Sequence, residues 1–223
     1  MRIVAQILLA FSALAACSSD YPKLDVGGTF GGIKSAIIKP KVEITTANPF
    51  AGLTRKQLEE IEGPLLVINL ESTGGYAGFV RIATNQDVET YGTRDPLTFS
   101  MRNGILVASR GLAGDLMSAE VSGVLSALKS GKSANYQRSY YWLSGDEQTI
   151  PSQLDCTLSF VDNAKIEIVE RTHKANHWRE SCNNASLNVT NDYWISLDRS
   201  TIWQSRQLIS PEIGHINVTR VIK

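Results

Sequence analysis

Leu97-Thr98-Phe99-Ser100-Met101-Arg102-Asn103-Gly104-Ile105-Leu106-Val107-Ala108 is the stretch that decides the fold class. Leu97, Phe99 and Met101 alternate with Thr98 and Ser100, the period-two pattern of a strand with one buried face. Ile105 to Ala108 is a second short apolar run. Between them Asn103-Gly104 supplies the two positive φ angles that a tight hairpin turn needs. The sequence predicts two antiparallel strands here.

Outward from this hairpin the same grammar repeats. Leu65 to Leu70 is a compact apolar run. Phe79, Arg81 and Ala83 alternate with Val80 and Ile82, and Val88 to Tyr91 follows Asn85-Gln86-Asp87. Further on, strands are expected at Tyr136–Leu143, Gln153–Phe160, Lys165–Glu170, Trp178–Cys182, Tyr193–Leu197, Ile202–Gln207 and Ile216–Ile222. Gly145-Asp146, Asp162-Asn163, Asn183-Asn184 and Asp198-Arg199-Ser200 punctuate them with turn chemistry. Two stretches change period. Thr54-Arg55-Lys56-Gln57 is a capping-box pattern opening a short helix that stops at Gly63-Pro64. Between Ser118 and Lys129, Val121, Val124, Leu125 and Leu128 fall on one helical stripe, with Gly131 placed as its C-terminal cap. No repeat and no βαβ alternation is present. The expected fold is mainly β, an antiparallel β-sandwich or partly open barrel with two short helices.

The N-terminus gives an address. Met1-Arg2 precedes an apolar stretch from Ile3 to Leu14, the layout of a secretory signal peptide. It is too short for a permanent span, which takes ~20 apolar residues. It ends Leu14-Ala15-Ala16-Cys17, which looks like a lipobox, so residues 1–16 are expected to be removed and Cys17 acylated. Each buried methylene contributes ~0.8 kcal/mol, so several acyl chains anchor stably where one is marginal. Ser18 rather than aspartate follows the cysteine. Resemblance to sorted lipoproteins of enteric bacteria then implies an outer-membrane anchor with the body facing the periplasm. Residues 17–33 are polar and glycine-rich and read as a lipidated tether, leaving 34–223 as one β-rich domain. Val42-Glu43-Ile44-Thr45 alternates like a strand but is fenced by Pro40 and Pro49.

Charge and cysteine content agree with that address. The chain carries 22 basic and 22 acidic residues, and loss of Arg2 leaves 21 against 22. Such a balance, without basic runs, gives no reason to expect a nucleic-acid partner. With Cys17 taken by lipid, Cys156 and Cys182 remain, and an isolated pair in an oxidising compartment is expected to bridge. The alternatives are a redox pair or a metal site. Twenty-five intervening residues exclude C-x-x-C chemistry, and two cysteines alone do not complete a zinc site.

Candidate chemistry is sparse. His173 and His177 stand four apart, the spacing of two zinc ligands on a helix, but Lys174-Ala175-Asn176 replaces the core of H-E-x-x-H. Their surroundings favour strand–turn–strand, so surface histidines in a hairpin are expected. There is no G-x-S-x-G elbow, and Gly111-Leu112-Ala113-Gly114-Asp115 lacks the ending of a phosphate-binding loop. Neither metal nor cofactor is expected. Among the aromatic residues, Tyr140, Trp142, Trp194 and Trp203 are candidate glycan contacts, although alternation along strands puts about half of any such set inside.

Two longer stretches carry a resemblance. Residues 104–120, Gly-Ile-Leu-Val-Ala-Ser-Arg-Gly-Leu-Ala-Gly-Asp-Leu-Met-Ser-Ala-Glu, resemble the central motif of the YjbF/GfcB family of group 4 capsule polysaccharide lipoproteins. Glu180-Ser-Cys182, Asn191-Asp-Tyr-Trp194, Ile202-Trp-Gln-Ser-Arg-Gln207 and Pro211-Glu-Ile-Gly214 look like that family's ending. Ser109 stands where threonine is expected, and Leu208 where an aromatic is. The resemblance implies an antiparallel β fold and supports pairing of Cys156 with Cys182. It also implies a role beside machinery that makes or exports capsule or exopolysaccharide, with outer-membrane and periplasmic export proteins as partners. It offers no catalytic residues to carry over. The leading expectation is a non-enzymatic accessory factor held by lipid on Cys17. The rivals are a glycan-binding module and an enzyme with convergent carboxylates.

Overall fold

In the computed structural model the described residues are 48 and 50–222, apart from 145 and 147. They fall in one compact unit, Gly31–Lys223. The expected signal peptide, Cys17, the tether and the stretch Val42–Thr45 lie outside the described residues.

The order along the chain is α1 (Arg55–Leu58), β1 (Leu65–Leu70), β2 (Gly75–Asn85), β3 (Val88–Gly92), β4 (Thr98–Arg102), β5 (Ile105–Arg110), β6 (Leu116–Ala119), α2 (Ser122–Ser130), β7 (Ala134–Leu143), β8 (Thr149–Ile168), β9 (Arg171–Asn183), β10 (Asn188–Ser196), β11 (Ile202–Ser210) and β12 (Gly214–Ile222). All twelve strands join one antiparallel sheet in the order β5-β4-β3-β2-β1-β12-β11-β10-β9-β8-β7-β6. Each strand except at the ends neighbours its sequence neighbours, and the first strand pairs with the last. The sheet is nearly closed into a barrel. What stays open is a nick between β5 and β6.

The nick is clasped by side chains rather than by a ladder. Ser109 Oγ accepts the Leu116 N–H at 2.9 Å and donates to Asp115 Oδ1 at 2.6 Å. The Asp115 carboxylate turns back to accept the Gly111 N–H at 2.8 Å, while the Arg110 guanidinium donates to the carbonyls of Leu116 and Met117. Gly111 has φ +96°, and a Cβ there would lie 2.7 Å from the Pro96 carbonyl oxygen, so the turn needs glycine. The glycine-rich segment thus joins the two edges of the sheet. The hydroxyl is what the clasp uses at position 109, and serine supplies it as threonine would.

The barrel interior is filled. One buried cluster takes side chains from every strand, among them Leu66, Phe79, Tyr91, Phe99, Leu116, Tyr140, Leu154 and Ile216. Burial of each such side chain contributes ~1.5–3 kcal/mol. A second cluster seats Val121, just before α2, with Val124 and Leu128 of α2 on Leu158, Trp178, Tyr193 and Ile195 at one end of the sheet. Gly123 lets the helix lie flush on the Tyr136 ring, which a Cβ would meet at 2.8 Å. A third cluster covers the outer side of β1 and β12 with Phe50, Leu53 and Leu58.

The central hairpin and both helices are where the sequence puts them, with two revisions. Asn103 and Gly104 have φ of +49° and +86°, as the two-residue turn requires. Thr54 and Gln57 form the capping box of α1. The second helix, however, starts at Ser122, because Ser118 and Ala119 pair with Tyr141 and Tyr140 as edge strand β6. The Glu120 carboxylate accepts the Ser122 N–H at 2.7 Å and starts the helix there. Asp162-Asn163 is not a turn. β8 runs through it for 20 residues with a bulge between Phe160 and Asp162, and the reversal falls at Val169-Glu170. Both residues have positive φ without being glycine. Arg55 holds this tip, donating from Nε to the Val169 carbonyl at 2.6 Å and from Nη2 to that of Ile168 at 2.5 Å.

Candidate functional site

β9 and β10 pair in register from Asn183↔Asn188 to Ala175↔Ser196. Because successive side chains point to opposite faces, the motif residues of these strands separate into two polar constellations.

The inner one centres on Glu180, which is fully buried. Its Oε2 accepts from Arg138 Nη1 at 2.6 Å, Asn191 Nδ2 at 2.7 Å and the Tyr193 hydroxyl at 2.9 Å, and its Oε1 accepts from the Tyr136 hydroxyl at 2.8 Å. Asn191 also accepts the Leu208 N–H at 2.8 Å, which ties β10 to β11 at a bulge. Arg138 lies over the Tyr140 ring, 4.7 Å from its centroid. Burial, followed by the Glu180 charge, pushes the Tyr193 hydroxyl well above its ordinary range. Burial pushes Tyr140 up to about 12. These phenols stay protonated and donate or accept without titrating. Beside them Cys156 and Cys182, directly paired across β8 and β9, form a disulfide. Further along β11, the Gln207 amide reaches across to β5, accepting the Leu106 N–H at 2.8 Å and donating to the Gly104 carbonyl at 2.9 Å. It satisfies an edge that has no strand beside it.

The outer constellation uses the intervening residues. Asp162, His177, Trp194 and Gln204 stand in one cross-strand row, and Ser159, Arg179, Asp192, Arg206 and Asn217 in the next. His177 Nε2 lies 2.8 Å from Asp192 Oδ1, and its Nδ1 lies 3.5 Å from Asp162. Arg179 Nε donates to the same Asp192 oxygen at 2.9 Å. The Trp194 indole stacks on His177 with centroids 4.4 Å apart and planes 9° apart. Next along the face, Arg206 grips Glu71 with two bonds of 2.8 Å. Those bonds hold Glu71 below its ordinary range.

The four aromatic candidates therefore part company. Tyr140 and Trp142 are 1% and 7% exposed and belong to the barrel interior, where Trp142 Nε1 donates to the Ile209 carbonyl. They are corrected from glycan contacts to core residues: alternation on β7 turns both rings inward. Trp194 and Trp203 keep partial exposure. Trp203 packs against His173, with centroids 3.9 Å apart. His173 and His177 are strand residues, and His177 is buried under its partners rather than free on the surface. Among the described residues, the grouping with metal-ligand chemistry is Cys156, Glu180 and Cys182, whose two sulfurs are bonded to each other. Sequence reasoning missed Arg179, Asp192, Arg138 and Glu180 as members of a site. The period-two offset between Glu180 and Arg179 was the available clue.

This architecture is a twelve-stranded antiparallel sheet nearly closed into a barrel, with a filled interior and two helices. The chain belongs to the family of group 4 capsule polysaccharide lipoproteins (GfcB, YjbF), whose family model matches residues 33–221. Among solved structures it is similar to the hypothetical lipoprotein YmcC from Escherichia coli K12, with a TM-score of 0.68 and 17% identity over 78% of this chain and 90% of that one. At that identity the likeness speaks for the fold. No curated protein sequence matches the chain significantly. Among the described residues no helix is long and apolar enough to cross a membrane.

Proposed function

We propose that this protein is a non-enzymatic accessory factor in capsule or exopolysaccharide assembly or secretion, held at the outer membrane by lipid on Cys17. The family match over residues 33–221 carries the reading. Three features support it. The lipobox at Leu14–Cys17 supplies the anchor. The interior is occupied by side chains from every strand. The polar outer face of β8–β12 offers a surface on which export proteins of the outer membrane and periplasm, or polysaccharide itself, can dock.

The test is deletion of the gene, complemented with wild type or with Cys17→Ala, scoring secreted and cell-bound polysaccharide. Loss of polysaccharide on deletion, restored by wild type and not by Cys17→Ala, is the expected outcome. Unchanged polysaccharide in the deletion strain overturns the reading.

A further inference from the structure

At the end of the barrel that α2 plugs, the β8–β9 hairpin runs on past its neighbours β7 and β10. The side of it that prolongs the interior meets solvent there. α2 seats on Trp178, Tyr193 and Ile195. Outward from Trp178 on the same side come Asn176 and Lys174, with Lys165 directly opposite Lys174. Like charges facing each other on a ladder are unfavourable, so this pair calls for a counter-charge from outside. Apolar residues at the same rim are exposed. Phe160 lies edge-on against Trp178, with ring centroids 5.5 Å apart, and is 46% exposed. Val161, which the bulge inserts beside it, is 43% exposed. Leu197 follows Ser196, the partner of Ala175, and so comes in next to Lys174; it is 54% exposed.

These pieces belong to one surface. Ala134 is paired with Leu158, so the loop from α2 to β7, with Lys132, enters beside Phe160. Arg199 donates from Nη1 to the Ser130 carbonyl at 3.5 Å, which fastens the Leu197 turn to the C-terminal end of α2, where Lys129 stands. Lys129, Lys132, Lys165 and Lys174 are exposed and have no ion-pair partner among the described residues. Glu167 and Asp198 are the acids on this side, and Asp198 already accepts from the Ser196 and Ser200 hydroxyls. The chain as a whole is balanced in charge, so unpaired cations around protruding apolar side chains are a local feature of this rim.

The route of the chain names the occupant. Phe50 packs with Ile168 of the same hairpin, and Arg55 holds the hairpin's tip, so the sequence leading back to Cys17 joins the body at this end. We propose that this rim docks on the surface of the bilayer. Phe160, Val161 and Leu197 enter the headgroup layer, and the four lysines lie against anionic phospholipid. Apolar side chains flanked by cations are the chemistry of an interfacial contact, and a basic patch is a second signal that makes acyl anchoring stable. The inference rests on the lipid anchor at Cys17 for its orientation, and it adds a membrane-facing side to the folded body.

The mature chain carrying Cys17→Ala, with no acyl chain to contribute, is sedimented with sucrose-loaded vesicles of equal parts phosphatidylglycerol and phosphatidylethanolamine. Vesicles of phosphatidylcholine alone are the neutral control. Salt-sensitive binding to the anionic vesicles and little to the neutral ones is expected. Lys165→Gln and Lys174→Gln should each weaken it about fivefold, the ~1 kcal/mol that a lysine contributes at an anionic surface. Val161→Ser with Leu197→Ser should weaken it about 10-fold or more. Tyr141→Ser, exposed toward the opposite end of β7, should leave it unchanged. Thermal midpoints, expected to stay in place, separate loss of contact from loss of fold. The proposal is overturned if anionic vesicles are not bound, if the rim variants bind as their parent does, or if Tyr141→Ser weakens binding as much as they do. Rim variants that keep vesicle binding but lose secreted polysaccharide in cells put a protein partner on this face, and that overturns it too. The accessory role fails on a different result, unchanged polysaccharide in the deletion strain, so the two readings fail separately.

Discussion

Glu180, Asn191 and Tyr193 differ from Arg179, Asp192 and Trp194 by a single position along the same two strands, yet they live in different physical worlds. The inner three are sealed, and both Glu180 oxygens are committed. The outer three are also hydrogen-bonded or stacked, but Arg179 keeps two nitrogens facing outward and Trp194 keeps part of its surface. Removing water from a charge is costly unless it is paired, so the inner set must be complete to exist at all. In the outer set Asp192 is likewise buried, and the half-exposed Arg179 is the member that water can satisfy. Strand parity alone therefore divides the polar residues of one motif between the sealed interior and the outer face.

The sharpest way to break this comparison is to remove the inner charge. Glu180→Ala is expected to cost ~3–5 kcal/mol, because it strands Arg138 without its partner in the interior. Urea titration measures this, and a near-neutral result means the network is not what holds β7, β9 and β10 together. Replacing both partners with apolar residues, Glu180→Leu with Arg138→Met, should recover much of that loss. Next in size is Cys156→Ser, where opening a cross-link over 26 positions is expected to lower stability by about 3 kcal/mol under non-reducing conditions. Ser109→Ala leaves the Leu116 N–H and Asp115 without their partner at the nick and should cost ~1–3 kcal/mol. Faster amide exchange confined to β5 and β6 is its signature. Arg179→Gln, on the outer side, should shift stability by less than ~1 kcal/mol, since an ion pair with a half-exposed partner contributes little. A loss there as large as that of Glu180→Ala erases the contrast.

The smallest effect concerns acid. Arg206 holds Glu71 below the usual glutamate value near 4.5, so the folded state binds that proton less readily than the unfolded chain. The stability from this pair is present above that ordinary value and lost as pH falls through the lowered one. Arg206→Gln should flatten the acid limb of the stability–pH curve by lowering the neutral plateau slightly and leaving the acid end nearly in place.

Much of this fold is legible in the residues because strand parity and turn chemistry are local. The Asn103-Gly104 hairpin, the Thr54 capping box and the Gly131 cap need no knowledge of distant partners. The reversal at Val169-Glu170 was hidden for the opposite reason. Neither residue favours positive φ, and what stabilises the turn is Arg55, more than a hundred positions away. Asp162-Asn163 has turn composition, but the bulge places Asp162 opposite His177, where its carboxylate faces the imidazole. The candidate site was half visible. Its indoles were singled out by type, whereas Arg179 and Asp192 gain meaning only when β9 and β10 lie side by side. Tyr140 and Trp142 misled because an aromatic side chain does not declare which face of its strand is wet.

The pairing of β1 with β12 bears on how such a chain must be made. β1 finds one neighbour at once in β2, but its other edge is met only by the nine-residue strand β12, Gly214–Ile222. Contacts between the ends of a chain are slow to form, because the whole intervening loop must be ordered first. A polypeptide made from its N-terminus therefore carries an apolar strand with an unsatisfied edge until β12 has been made. That interval exposes it to aggregation. Intolerance of truncations that remove β12 follows from this one pair of strands.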